Sequence, residues 1–185
     1  MKELPSYNNI IIKRAEKKNA SEITKVLLSS WLYAYPNETY QISESEIREK
    51  FGDVEEKTAG IGNFLESIQD RSDVNYLIAE VNHKVTGFIY AFRPQTQLLY
   101  INALYVDPDF HRTGIGSSLL SKLISLNQNI SQISVDVVSY NTHAISFYEK
   151  KGFLYQCQSK TPFGHFPNGK TVPETHMVKS LSIQS

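Results

Sequence analysis

Two spacings of apolar residues alternate along the chain. Runs that are β-branched or aromatic, or that alternate apolar with polar residues, predict strands. They are "IIIKRA" (10–15), "VNYLIAEV" (74–81), "KVTGFIYAFRP" (84–94), "LLYINALYVDP" (98–108), "SQISVDVVS" (131–139), "FLYQCQSK" (153–160) and "ETHMVKSL" (174–181). Apolar residues three and four positions apart predict amphipathic helices over 19–32, 43–51, 114–127 and 141–152.

Local signals at the ends of these segments agree with the pattern. Asn19 with Glu22, and Ser43 with Glu46, have the spacing of capping boxes, and Gly152 is typical of a helix end. The helix over 114–127 has one apolar stripe, formed by Ile115, Leu119, Leu123 and Leu126. The pattern over 52–70 is interrupted by glycines and is ambiguous between helix and loop.

The element order is therefore β-α-α-β-β-β-α-β-α-β-β, with no linker or internal repeat dividing the chain. This order predicts an α/β fold, with a mixed, mostly antiparallel central sheet of about seven strands flanked by helices. At 185 residues the chain has the length of one domain, and we expect that domain to cover 1–185.

Composition excludes several classes of protein. A hydrophobic content of 41% and a charged content of 21% are typical of a soluble globular protein. Basic and acidic residues number 19 each, so the basic excess of a nucleic-acid-binding protein is missing. "MKELPSYNN" lacks the apolar run of a signal peptide, and Cys157 is the single cysteine. We expect a cytoplasmic protein with neither a nucleic-acid nor a membrane partner.

The stretch "VDPDFHRTGIGSSLL" (106–120) carries the first chemical signal. Gly114 and Gly116 open a predicted helix, whose free N–H groups and positive dipole end attract an anion. Arg112 adds a positive charge and His111 a conditional one, unless Asp109 holds either of them.

Four interpretations of this stretch compete. A glycine-capped helix start that binds nothing is the simplest. A Walker phosphate loop requires a Lys after its second glycine, which is absent here. A dinucleotide-binding fingerprint requires a third glycine where Leu119 stands, although Asp136 has about the spacing of its ribose-binding acid. The fourth interpretation is a site for the pyrophosphate of coenzyme A.

Two motifs favour the fourth interpretation. "LYVDPDFHRTGIGSSLL" resembles the acyl-CoA-binding motif V-x-P-x-x-[QR]-x-x-G-x-[GA] of the GNAT superfamily of N-acetyltransferases, and "NTHAISFYEKKGF" resembles its second motif, N-x-x-A-x-x-F-Y-x-x-x-G-F. Both stand in the order strand, helix, strand, helix, and the resemblance covers an acyl-CoA-binding core of about 74–181. One departure is His111, which stands where the family usually has Gln or Arg.

The resemblance implies acetyl transfer from acetyl-CoA to an amine. It implies a backbone N–H from the strand before the glycines, at Leu104, as oxyanion donor, and Tyr148 as the acid that protonates the leaving sulfur. The implied CoA contacts are Leu104, Tyr105, Val106, His111, Arg112, Thr113, Gly114, Ile115, Gly116, Ser117, Asn141 and Tyr148. Without the resemblance, Tyr148 reads as an aromatic core residue and Asn141 as a helix N-cap.

The sequence says less about the general base and the acceptor than about the CoA contacts. Relatives often place a carboxylate on the strand before the glycines, where this chain has Tyr100 and Asn102. Glu80 and Asp136 are candidate bases, and a desolvated amine that loses its proton to water needs none.

The segments "WLYAYPNETY" and "FGHFPNGKTVP" correspond to the acceptor walls of the family. Trp31 and Tyr35, with Glu80, are the candidate acceptor-binding residues, and an aromatic surface of this kind suits a small cationic amine such as a polyamine. His143, His165 and His176 lack metal-ligand spacing, so we expect no metal.

Three hypotheses remain open. The first is an N-acetyltransferase for a small-molecule amine, with a peptide or protein amine as the alternative acceptor. The second is a CoA-binding sensor without catalysis, and the third is a nucleotide-binding domain. A homodimer is common in the family, although the sequence contains no signal for it.

Overall fold

The computed structural model describes residues 9–159, 163, 166 and 169–181. The strands are β1 Ile11–Arg14, β2 Val74–Val81, β3 Lys84–Gln95, β4 Leu98–Val106, β5 Gln132–Val138, β6 Leu154–Gln158 and β7 Glu174–Ser180. The helices are α1 Ala20–Ala34, α2 Glu44–Phe51, α3 Val54–Ser67, α4 Ile115–Ser125 and α5 Thr142–Lys150.

The seven strands form one sheet in the order β1-β2-β3-β4-β5-β7-β6. All neighbours pair antiparallel except β4 and β5, which are parallel because α4 connects them. The predicted fold class and strand number are confirmed.

The ambiguous segment forms an additional helix, α3. Asp53 caps it by accepting hydrogen bonds from the N–H groups of Glu55 and Glu56. Gly62 lies against the start of α1, where a Cβ built on it would be 3.6 Å from the Cβ of Ala20, an ordinary van der Waals distance. The packing of α3 on the rest of the molecule stabilises the helix more than the low helix propensity of its glycines destabilises it.

The two predicted capping boxes have different outcomes. Ser43 and Glu46 form one at the start of α2. The Asn19–Glu22 box is wrong, because the Asn19 side chain accepts a hydrogen bond from the Glu16 N–H and closes the short turn before α1 instead.

Each face of the sheet buries its own helices. α4 and α5 cover one face, where Ile115, Leu119 and Leu123 are buried. Leu126 was expected on the same stripe but is 49% exposed, because α4 ends before it. α1 and α3 cover the other face, with Ile23 and Leu65 in its core.

A β-bulge in β4 prepares the site. The register with β3 shifts between Tyr90 and Ala91, which leaves Asn102 as an extra residue. Pairing between β4 and β5 then stops at Ile101 and Val135, although both strands continue. The two strands therefore diverge beyond the bulge and leave an opening in the middle of the sheet.

Candidate active site

A cleft of about 1440 Å³ passes through this opening. One side, here called the glycine wall, consists of Leu104–Val106, Gly114–Ser117, Asn141 and Tyr148. The opposite side, here called the aromatic wall, consists of Trp31, Tyr35, Phe51, Phe64 and Phe163. The cleft is large enough for two substrates that meet between the walls.

The backbone of β4 faces the cleft at alternate residues. The Asp107 N–H donates to the Thr86 carbonyl, 2.9 Å away on the β3 side. Because successive N–H groups of a strand alternate in direction, those of Leu104 and Val106 point away from β3. Pairing with the parallel strand β5 has already stopped there, so these two N–H groups line the opening between the two strands.

The start of α4, which follows β4 in the chain, also lines the cleft. Gly114 has φ +91°, and a Cβ built on it would meet nothing within 4 Å, so the space in front of it is open. The first helical bond runs from the Ser118 N–H to the Gly114 carbonyl, so the preceding N–H groups have no partner within the helix. This end of α4 has the geometry of an anion site.

The two residues before the glycines differ in role. His111 donates from Nε2 to the Val106 carbonyl at 3.0 Å and packs edge-on against Tyr33, with ring centroids 5.0 Å apart. The imidazole of His111 is therefore hydrogen-bonded to the end of β4, whereas the sequence suggested Asp109 as its partner. Arg112 is exposed at the rim of the cleft.

The second motif contributes α5. The side-chain oxygen Oδ1 of Asn141 accepts a hydrogen bond from the Ala144 N–H at 3.1 Å and caps the helix. Tyr148 is 5% exposed and lines the cleft, and its hydroxyl forms no hydrogen bond with any residue that the structure describes. Burial raises the pKa of Tyr148, so the phenol keeps its proton at neutral pH.

The aromatic wall is a network of edge-to-face contacts. Trp31 packs against Tyr35, Phe51 and Phe163, with centroids 5.6 to 5.8 Å apart. The Tyr35 hydroxyl lies 2.8 Å from that of Tyr105 and so connects this wall to β4. The indole N–H of Trp31 is buried yet has no hydrogen-bond partner in the described part of the chain.

The acidic residues are arranged differently from the prediction. Glu80 is not among the residues that line the cleft, and its carboxylate lies 2.7 Å from the ammonium of Lys13, so this geometry does not support its predicted contact with the acceptor. Asp136 does line the cleft, where its carboxylate accepts from Tyr100 at 2.9 Å and from His176 at 2.7 Å.

Sequence reasoning missed Glu174, the first residue of β7. Its side chain lines the cleft, and burial, together with the charge of Asp136, raises the pKa of Glu174 to about 7. No motif marks it, because its position depends on the pairing of β7 with β5, far away in the sequence.

The remaining predictions concern metals and membranes. His165 lies outside the residues that the structure describes, and among those that it does describe no three His, Cys, Asp or Glu side chains come together as metal ligands. Among the helices that the structure describes, none has the length and apolar character needed to cross a bilayer.

Known proteins share this sequence pattern and this fold. A profile described as "Acetyltransferase (GNAT) family" matches residues 30–153. N-alpha-acetyltransferase 60 of Danio rerio is 33% identical over 142 residues, which cover 70% of this chain and 53% of that protein. An uncharacterised N-acetyltransferase of Methanocaldococcus jannaschii is 29% identical over 98 residues, 49% of this chain and 43% of that protein. The chain thus matches about half the length of these curated relatives.

Solved structures show the same fold. The PaiA N-acetyltransferase of Thermoplasma acidophilum, in complex with coenzyme A, has a TM-score of 0.73 at 22% identity, over 94% of this chain and 99% of that one. YncA, a putative acetyltransferase of Salmonella typhimurium with its cofactor acetyl-CoA, has a TM-score of 0.68 at 21% identity, over 96% and 97% of the two chains. With the family profile covering more than half of its length, the chain belongs to the GNAT family of acetyltransferases.

Proposed function

We propose that this chain transfers the acetyl group of acetyl-CoA to the primary amine of a small molecule such as a polyamine. The observation that carries the proposal is the opening between β4 and β5. There, two unpaired strand N–H groups, the glycine start of α4 and the Tyr148 hydroxyl converge on one cleft. These are the groups that acyl transfer from a thioester requires.

Each part of the glycine wall has a task in this reaction. The N–H groups at the start of α4 bind the pyrophosphate of CoA, with Arg112 at the rim. The Leu104 N–H stabilises the charge that develops on the thioester oxygen, and such a donor typically contributes ~3 kcal/mol to the transition state. Tyr148 donates its proton to the departing sulfur.

The aromatic wall supports a cationic acceptor. Lys57 already places its ammonium 5.4 Å from the ring centroid of Phe51, and Lys50 lies 5.7 Å from that of Phe163. A polyamine carries alkylammonium groups of the same kind, so these contacts support a cationic acceptor. The cleft also contains the carboxylates of Asp136 and Glu174, which attract the same groups.

A second acceptor class is a peptide or protein N-terminus. The similarity to N-alpha-acetyltransferase 60 of Danio rerio favours it, since that alignment extends over 70% of this chain. A peptide amine is also primary, so the same glycine wall serves both acceptors.

A thiol-release assay with acetyl-CoA tests the proposal. The acceptor panel contains polyamines, aminoglycosides, amino acids and short peptides, and mass spectrometry locates the added acetyl group. We expect thiol release with polyamines. Release with peptides alone supports the second class, and calorimetric binding of acetyl-CoA without any release indicates a sensor.

A further inference from the structure

We infer that Glu174 is the general base that takes the proton from the acceptor ammonium. This inference rests on the proposed function, because it assigns a step of that reaction to a residue that neither motif contains. Glu174 lies on β7, beside the strand that diverges from β4, and its side chain lines the cleft between the two walls.

The position of Glu174 follows from the strand register. β5 and β7 pair antiparallel, with Val138 opposite Glu174 and Asp136 opposite His176. Since side chains alternate along a strand, these four residues share one face of the sheet. Asp136 comes directly after the last residue of β5 that pairs with β4, so this face borders the opening where the thioester would lie.

Asp136 is the less suitable base of the two. Both of its carboxylate oxygens accept hydrogen bonds, one from Tyr100 and one from His176. Neither oxygen can therefore accept a proton from the acceptor unless one of these hydrogen bonds breaks. Glu174, by contrast, makes no side-chain hydrogen bond or ion pair with any residue in the described part of the chain, so its carboxylate is available to a ligand.

The surroundings of Glu174 make it more basic than an ordinary carboxylate. The titratable groups around it are Asp136 on β5, His176 on β7, Tyr100 and Tyr105 on β4, and Tyr35 directly after α1. Burial and the Asp136 charge raise the pKa of Glu174 to about 7. A base whose pKa lies near the working pH suits proton transfer better than a carboxylate with a pKa of about 4.3.

The proton balance of the reaction is complete with these groups. The ammonium gives one proton to Glu174, and the neutral amine attacks the thioester carbon. A C–N bond forms and the C–S bond breaks, while the sulfur takes the Tyr148 proton and leaves as the thiol. The second nitrogen proton restores Tyr148, and the proton on Glu174 passes to solvent.

The pH dependence of turnover tests the inference. The matched variants are Glu174→Gln and Asp136→Asn, with Glu49→Gln, an exposed residue of α2 away from the cleft, as control. In the unchanged protein, kcat/KM should rise with pH through a limb near 7, where Glu174 loses its proton. In Asp136→Asn that limb should move to lower pH, because removal of a negative neighbour lowers the pKa of Glu174.

For Glu174→Gln we expect kcat to fall about 100-fold, with acetyl-CoA affinity unchanged. The limb near 7 should disappear and leave only the ionisation of the amine at higher pH. A kcat within about threefold of the unchanged protein, with the limb retained, overturns the inference. An increase in KM with kcat unchanged also overturns it, because it indicates a residue that only holds the ammonium.

A stability measurement provides a readout that does not depend on activity. A carboxyl whose folded-state pKa is raised destabilises the fold as pH rises between the unfolded and folded pKa values. Glu174→Gln should therefore raise the unfolding temperature more at about pH 8 than at about pH 4. A shift independent of pH contradicts the inference. If the unchanged protein acetylates no amine, the proposed function and this role fall together; if it does and Glu174→Gln has no effect, only the role falls.

Discussion

The two walls of the cleft present different chemical groups to a ligand. The glycine wall consists mainly of backbone: strand N–H groups beside a bulge, a helix start at φ +91° and a capped helix. The aromatic wall consists of side chains from α1, α2, α3 and the loop before β7. Backbone groups are the same for every residue type, so the glycine wall can serve one invariant substrate. Side chains change with each substitution, so the aromatic wall can select among acceptors.

The strongest test of this difference is Gly114→Leu, which places a side chain in the open space before α4. We expect CoA affinity to fall at least about 100-fold, because the side chain occupies the position of the pyrophosphate. Gly169→Leu is the matched control, since Gly169 has φ +76°, its Cβ would also meet nothing within 4 Å, and it does not line the cleft. Both substitutions place a side chain at a positive φ, which costs about 1–2 kcal/mol. Calorimetry should show that only the first removes binding.

Tyr148→Phe tests the one side chain of the glycine wall to which we assign chemistry. We expect kcat to fall about 100-fold because the leaving sulfur loses its proton donor, while acetyl-CoA affinity changes less than about twofold. The control is Tyr155→Phe on β6, where the side chain is 65% exposed. Steady-state kinetics that show equal kcat for both variants would remove Tyr148 from the mechanism.

Trp31→Phe tests the aromatic wall. The KM for a polyamine should rise about tenfold, because a smaller ring with a weaker quadrupole holds the cation less well. Affinity for acetyl-CoA should stay the same, since Trp31 is not part of the glycine wall. Tyr155→Phe, at a side chain of β6 that is 65% exposed and does not line the cleft, is the control. A change in CoA affinity with an unchanged KM would contradict the division between the walls.

The smallest effect is expected for Arg112→Gln. Arg112 is exposed at the rim, so solvent screens its attraction for the CoA phosphates. We expect CoA affinity to fall about fivefold at low salt, with the difference shrinking as the salt concentration rises. Lys25→Gln, an exposed position on α1 away from the cleft, controls for net charge. An effect as large as that of Gly114→Leu would mean that charge, not backbone geometry, binds the pyrophosphate.

The local geometry of the glycine wall is visible in the sequence because it demands particular residue types. Gly114 occupies a left-handed backbone conformation that favours glycine, and Asn141 supplies the oxygen that a helix start requires. Such requirements act within a few residues, so they remain visible in a single sequence. The identity of the CoA motif depends on them.

The other features of the fold and the site depend on contacts between residues that are distant in the sequence. Glu174 is a carboxylate at a strand end, and only the pairing of β7 with β5 shows that it enters the cleft. Glu80 is also a carboxylate near a strand end. In the structure a register shift lies beside it and its carboxylate contacts the ammonium of Lys13 outside the cleft. α3 buries Leu65 in the core on the α1 side of the sheet, a contact that helix propensity does not contain.

The bulge at Asn102 also bears on how this chain can change over generations. Before the bulge, Leu99 and Ile101 face α4 and α5; after it, Leu104 and Val106 do so, with the parity of the strand reversed. Deletion of this one residue would restore the simple alternation and exchange the inward and outward side chains over the rest of β4. Successive substitutions in the aromatic wall can therefore change the acceptor one side chain at a time. A one-residue shift in the register of β4 would instead change many side chains at once, so it cannot arise through small steps.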